Sequence, residues 1–164
     1  MRKVTLVLAV VAAAGLVARS ASAQTSATRP VRFGVQADWG TDNIDIGLGA
    51  RIVYPGLGTV LNVKGLEGYA SFDYFFPGHS ITYWEINPGV TYNVTLNGVT
   101  GFSPYVGGGL NIAHASAGGI GDTKAGLNLL GGGRFALGKL SAYAEGRIEL
   151  SGGEHFVATF GILF

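Results

Sequence analysis

The sequence predicts an all-β fold, an eight-stranded antiparallel up-and-down transmembrane β-barrel. Three observations predict it. Apolar and polar residues alternate along eight segments, each of about the length a tilted strand needs to cross a bilayer. The charged residues within these segments all fall on the less apolar parity. The chain ends on an alternating run, His155 to Phe164, with aromatic and aliphatic side chains on one face.

The first residues carry the pattern of an export signal. Arg2 and Lys3 precede an uncharged apolar run that ends at Val17, and Ala21 and Ala23 flank Ser22. A short positive region, an apolar core too short to span a bilayer and a small-x-small site predict a secretory signal peptide. We expect residues 1–23 to be cleaved. The mature chain, residues 24–164, is then one barrel domain.

The composition excludes several functional classes. The chain has no Cys, which excludes disulfides, thiolate metal sites and a Cys nucleophile. Loss of Arg2, Lys3 and Arg19 with the signal leaves eight basic against ten acidic residues. This balance offers no footprint for nucleic acid. Charged residues make up 13% of the chain, against about 25% in soluble proteins.

The segments follow in order, separated by turn residues and loops. Strands are predicted over residues 31–39, 44–54, 66–76, 84–94, 104–112, 127–135, 140–150 and 155–164. The ranges 55–64 and 114–123 are predicted to be loops. Pro88 lies inside a strand segment, and because proline has no N–H to donate, we predict a bulge there.

Charge decides which face is outside. The predicted interior charges are Arg32, Asp38, Asp45, Arg51, Glu67, Asp73, Glu85, Arg134, Glu145, Arg147 and Glu149. A charge facing lipid is costly, so this parity should face the lumen and form ion pairs. The alternative is a soluble lipocalin-like barrel, whose outer face would be mixed in charge and carry Lys.

Aromatic residues should form two bands on the opposite face. With the N-terminus on the inner side, alternating strands bring Trp39, Tyr74, Phe76, Trp84 and Phe156 to the outer end. The inner end collects Tyr54, Tyr92, Phe135 and Phe164. Two such bands mark the interfaces of a membrane barrel, so outer-membrane lipid is an expected partner.

The final strand resembles the closing strand of bacterial outer-membrane barrels, which the assembly machinery reads as a signal. That family usually has Gly where this chain has Thr159, and the nearest glycine is Gly161. With residues 104–110 and 131–135, the pattern resembles the small OmpX, opacity-protein and OmpA-barrel group of Gram-negative bacteria. The resemblance implies an outer-membrane location, the barrel assembly machinery as a partner through the C-terminal strand, and roles in envelope integrity, adhesion or solute passage. We expect a monomer without a cofactor.

Two alternatives to a passive barrel arise. His114 and Ser116 have the spacing of the His-x-Ser motif of lipid A deacylase barrels, in which a His base activates a Ser nucleophile. However, Ala117 and Asn128 stand where that family has an Asn and an acidic partner, so the triad is incomplete and we predict no enzyme. A gated pore is the other alternative, but a barrel of eight strands is just wide enough for its own side chains.

His79, His114 and His155 fall at outer strand ends, where histidines could in principle bind a metal ion. We predict no metal site, because histidines in loops without a paired carboxylate are more often simply solvated.

Overall fold

The computed structural model describes residues 30–78, 81–150 and 155–164 of the chain. The predicted signal peptide, residues 1–23, lies outside the described residues, and so does His79. In the described part, no helix has the length and apolar character to cross a membrane.

Eight strands form one closed sheet in the described residues. Their bounds are β1 Arg32–Gly40, β2 Asp45–Tyr54, β3 Leu66–Phe75, β4 Ile81–Asn93, β5 Phe102–Ala117, β6 Ile120–Leu137, β7 Leu140–Glu149 and β8 Phe156–Leu163. Each strand pairs antiparallel with its neighbour in sequence, and β8 pairs with β1. A short helix, α1 (Leu57–Val60), lies in the connection from β2 to β3. The predicted eight-stranded up-and-down barrel is confirmed.

The alternation along each strand sorts side chains between the lumen and the outer surface. In β2, Arg51 and Val53 are buried while Ile52 and Tyr54 are exposed, because successive side chains point to opposite faces. The exposed set is apolar around the barrel, and Phe160 is 64% exposed in the middle of β8. The interior is largely polar and the outer surface apolar, which is the reverse of a soluble domain.

The predicted loop over residues 114–123 is wrong. Strands β5 and β6 continue pairing through this range as far as Ala117 and Ile120. Gly118 and Gly119 join them with φ of 58° and 86°. Two residues at positive φ make a hairpin turn whose twist matches the strands, and glycine adopts it without steric cost. The small residues therefore belong to one long hairpin.

The predicted bulge at Pro88 is also wrong. Pairing of β4 with β5 is interrupted at Asn87 and Pro88, yet Ile86 pairs with Ile112 and Gly89 with Gly109 in one unbroken register. A bulge requires an extra residue on one strand, and none is present. On the other side, Pro88 still pairs with Ala70 of β3. The missing N–H therefore removes a rung without shifting the strand.

The barrel closes along the seam between β1 and β8. Pairs run from Gly34 with Leu163 to Gly40 with Val157. Beyond the last ladder pair, Phe164 N donates to Phe33 O at 2.8 Å, and Phe33 N donates to Phe164 O at 3.1 Å. Closure leaves no strand edge unpaired, which a sheet in lipid requires.

The seam gives a direct test of the outer face. We predict that Phe160→Arg lowers the free energy of unfolding in lipid vesicles by about 2–4 kcal/mol, because it places a guanidinium on the lipid-facing side of β8. Urea titrations of refolded mature protein measure this change. Val99→Arg, the same kind of change at an exposed position outside the strands, is the matched control. Equal tolerance of both variants would contradict the assignment of the faces.

Candidate functional site

The centre of the lumen holds one guanidinium among three carboxylates. Arg147 Nη2 lies 2.8 Å from Glu85 Oε2, Nη1 lies 3.4 Å from Asp73 Oδ2, and Nε lies 3.4 Å from Glu149 Oε1. These side chains reach the same point from β7, β3 and β4 because all have the inward parity. Arg147, Asp73 and Glu85 are fully buried. We call Arg147 and these three carboxylates the central cluster.

Uncharged amide side chains surround the central cluster and hydrogen-bond to it. Gln36 Nε2 donates to Asp73 Oδ1 at 2.6 Å, and Asn87 Nδ2 donates to Asp73 Oδ2 at 3.0 Å. Asn111 and Asn128 both donate to Asn87 Oδ1, at 3.0 and 3.1 Å. The charge pattern missed these amides, although their inward parity places them beside the carboxylates. They supply hydrogen bonds that buried polar atoms require.

A second ion pair lies towards the inner end of the lumen. Arg51 and Glu145 form two parallel hydrogen bonds of 2.8 and 2.6 Å. The guanidinium of Arg51 lies 5.3 Å from the ring centroid of Tyr69 and 4.8 Å from that of Tyr143. Tyr105 donates its hydroxyl hydrogen to Glu145 at 2.9 Å. This bidentate, ring-enclosed geometry fixes the pair tightly.

A third cluster forms the inner mouth. Glu67 accepts from Arg32 at 2.9 Å and from Arg134 at 2.5 Å, and Arg134 also donates to Asn93 at 3.0 Å. An open cavity of about 930 Å³ lies beyond these side chains and is lined partly by the connection containing α1. Water therefore reaches the inner mouth, while the pairs above it are buried.

Apolar side chains form a layer at each end of the lumen. The outer layer consists of Ile44, Phe75, Tyr83, Ala113 and Val157, and the inner layer consists of Val53, Tyr69, Tyr105, Leu130, Tyr143 and Leu163. Phe75 and Val157 have no exposed surface. The central cluster lies between these layers, in a space where unpaired charge is costly.

The prediction that Asp45 faces the interior is wrong. Its side chain is exposed at the start of β2, and the neighbouring Ile44 is buried in the outer layer instead. The reason is local: Asp42, Asn43 and Asp45 all have positive φ. These left-handed residues rotate the chain at the turn, so the period of two does not extend back to residue 44. The other ten charged residues take part in the interior contacts above, with Asp38 accepting from Thr159 at 2.6 Å.

The aromatic residues lie near the two ends of the outward face. The outer band contains Trp39, Tyr74, Phe76, Trp84 and Phe156, and the inner band contains Tyr54, Tyr92, Phe135 and Phe164. Ring centroids of Tyr74 and Phe76 are 5.3 Å apart. Phe102 adds to the inner band, 5.0 Å from Phe135. Phe102 lies outside the predicted strand, residues 104–112, and is therefore absent from the predicted inner band.

His114 and Ser116 lie on the outward face of the long β5–β6 hairpin. The imidazole of His114 stacks on Trp84 with centroids 5.1 Å apart, and its Nδ1 lies 2.8 Å from Thr123 Oγ1. A hydroxyl thus stands at the nitrogen where a catalytic triad has a carboxylate. Ser116 pairs with Thr82 on one side and Gly121 on the other.

A polar contact joins the turn that follows β1 to the residue that precedes β8. His155 Nδ1 lies 3.5 Å from Asp42 Oδ2, and the hydroxyl of Thr41 donates to the same carboxylate at 2.8 Å. Hydrogen bonds from Thr41 and from His155 lower the pKa of Asp42. Within the described residues, no group of three or more His, Asp or Glu side chains is arranged to hold a metal ion.

Comparisons with known proteins identify the fold. No protein-family model matches the chain, and no curated protein matches it. Neisserial surface protein A is similar in structure, with 16% identity, a TM-score of 0.54 and coverage of 81% of this chain and 94% of that one. The N-terminal β-barrel domain of Pseudomonas aeruginosa OprF gives 18% identity and a TM-score of 0.52, over 81% and 96%. A de novo designed transmembrane β-barrel gives 16% and 0.50, over 86% and 97%. The predicted resemblance to small outer-membrane barrels is confirmed for the fold.

The Arg51–Glu145 pair yields a quantitative test. We predict that Arg51→Met or Glu145→Leu alone lowers the free energy of unfolding by about 3–5 kcal/mol, because each leaves a buried charge unpaired. The double variant should lose clearly less than the sum of the two. Urea unfolding of refolded protein gives the double-mutant cycle. Arg32→Met, at a pair whose Arg is 26% exposed, is the control and should cost about 1 kcal/mol or less. Additive losses at residues 51 and 145 would show that the pair is not formed.

Proposed function

We propose that this chain is an outer-membrane β-barrel protein of a Gram-negative bacterium, exported through a signal peptide of residues 1–23. In this proposal it is a non-enzymatic component of the envelope, with an interior filled by side chains. The observation that supports it best is the closed sheet with an apolar outward face between two aromatic bands. Such a surface suits lipid, because soluble monomers seldom expose apolar patches beyond a few hundred Å².

The outward surface and the closing strand indicate the partners in this proposal. Lipid covers the outward apolar side chains, such as Leu129 and Phe160, which are 55% and 64% exposed. The closed sheet leaves no edge for another chain to extend, which supports a monomer. Because β8 completes the barrel by pairing with β1, we propose β8 as the segment that the assembly machinery engages. Its apolar outward residues, Phe156, Phe160 and Ile162, are suited to that contact.

The contacts of the candidate groups support a role without catalysis. His114 is oriented by Thr123 rather than by a carboxylate, so Ser116 lacks the complete arrangement that activates a nucleophile. The interior carboxylates Asp73, Glu85 and Glu145 are occupied by Arg147 and Arg51. These three carboxylates are therefore engaged in interior ion pairs.

The packing of the lumen supports a barrel that conducts no ions. A water path from the inner mouth would have to pass Arg134 and Glu67, then the ring-enclosed Arg51, and finally the outer layer at Phe75. These side chains are all buried, and Phe75 has no exposed surface. At eight strands the lumen has little room beyond its own side chains.

Planar-bilayer recording of the refolded mature protein tests this proposal. We predict current no different from that of a protein-free membrane, with folding of the same sample shown by a heat-modifiable shift in gel mobility. A sample denatured before addition is the control for contaminating pores. Steady, ion-selective openings would contradict the filled interior and favour the gated pore. Failure of the folded protein to enter the bilayer would contradict the membrane location.

A further inference from the structure

A polar patch lies on the outward face of the barrel, beginning at the outer aromatic band and continuing towards the outer end. It consists of Thr82 and Trp84 of β4, His114 and Ser116 of β5, and Thr123 of β6, which we call the outer patch. Register brings them together, because Thr82 pairs with Ser116, Trp84 with His114, and His114 with Thr123.

The length of the hairpin sets the level of the outer patch. Strands β5 and β6 have 16 and 18 residues, whereas about 9–11 residues cross a bilayer. The hairpin therefore extends past the outer end of the apolar surface, and Trp84 stands in the outer band. In the membrane orientation of the proposed function, the outer patch lies among the head groups of the outer leaflet.

The imidazole of His114 is held in one position. Trp84 stacks on it at 23° between ring planes, and Thr123 engages Nδ1. The ring reaches across β6 over Gly121, where an added Cβ would lie 2.9 Å from His114 Cε1, 3.2 Å from Nε2 and 3.4 Å from Ser116 Cβ. Glycine at residue 121 thus lets the imidazole pack directly over the backbone of β6, with its Nε2 edge beside Ser116.

The chemistry of the outer patch indicates its ligand. Three hydroxyl groups and an imidazole can each donate and accept hydrogen bonds. Phosphate is usually bound by Arg or Lys, yet the outward positions of the described β4, β5 and β6 carry neither. Asp122 and Lys124 have the opposite parity, since Lys124 pairs with the inward Ala113. Uncharged hydroxyl groups of a ligand match this surface better than a phosphate does.

We propose that the outer patch binds the sugar of an outer-leaflet glycolipid, an inference that rests on the proposed membrane location. The acyl chains of that lipid lie along the apolar outward face below the patch, beside Ile86 and Ile112. The sugar hydroxyls exchange hydrogen bonds with Ser116, Thr82 and His114 Nε2. Trp84 fixes the imidazole from behind, which lowers the conformational cost of binding.

The fluorescence of Trp84 provides the test. The chain has two Trp residues, so Trp39→Phe leaves Trp84 as the only one. The mature variant is refolded into phosphatidylcholine vesicles that contain increasing mole fractions of monoglucosyl diacylglycerol or of phosphatidylglycerol. We expect the emission of Trp84 to change and saturate with the glucolipid, and to show no saturating change with phosphatidylglycerol.

Variants assign the change to the outer patch. Ser116→Ala with Thr82→Ala should raise the half-saturating mole fraction of glucolipid about three- to tenfold, through the loss of two hydrogen bonds. His114→Phe keeps a ring against Trp84, removes both nitrogens and should act in the same direction. Ser141→Ala, which removes a hydroxyl at the inner end, is the matched control and should change nothing.

The outcomes separate this inference from the function on which it rests. Equal responses to both lipids, a saturating response to phosphatidylglycerol alone, or no effect of the patch variants would overturn sugar binding while leaving the membrane barrel intact. Protein that fails to insert, shown by the absence of both a heat-modifiable band and protease protection in vesicles, would overturn the proposed function and this inference together.

Discussion

The structure depends on one constraint, the closure of the sheet. The rungs between Phe33 and Phe164 extend the seam between β1 and β8, so every strand has a partner on both sides. Once the backbone is satisfied within the sheet, the outward side chains need no polar contacts and can face hydrocarbon. Closure at eight strands also fixes the width of the lumen. The inward side chains must then fill a narrow space and satisfy one another.

The requirement that the inward side chains satisfy one another explains the network of ion pairs and hydrogen bonds in the lumen. Arg147 is shared among three carboxylates, and Asn87, Asn111 and Asn128 extend the hydrogen bonds from that cluster across the lumen. Rings and aliphatic side chains above and below exclude water, which strengthens each pair and raises the cost of breaking it. A lumen organised in this way suits a structural role. The surfaces left for recognition are the inner mouth, the outer turns and the outward face at head-group level.

Sequence patterns predicted the faces and the strand count because a period of two is a property of the strand itself. They were wrong where a local backbone conformation intervened. Three residues at positive φ turned Ile44 inward and Asp45 outward, and Gly118 with Gly119 converted an expected loop into paired strand. The pairing of charges was not predictable, because it depends on register and shear. Arg51 and Glu145 are 94 residues apart, and nothing local to either residue indicates the other. The outer patch was visible only in part, since Trp84 and Thr123 reach His114 through register.

Strand β6 crosses the membrane with one face in lipid and the other in a filled lumen, and this arrangement can be measured directly. Because the chain has no Cys, single Cys residues can be introduced at positions 127–132 of β6 and spin-labelled in vesicles. Collisions with oxygen and with a water-soluble nickel complex then report the surroundings of each label. We predict high oxygen and low nickel accessibility at Leu127, Leu129 and Gly131, and low accessibility to both at Asn128, Leu130 and Gly132. Nickel accessibility at Leu127 and Leu129, or no alternation along β6, would contradict the account.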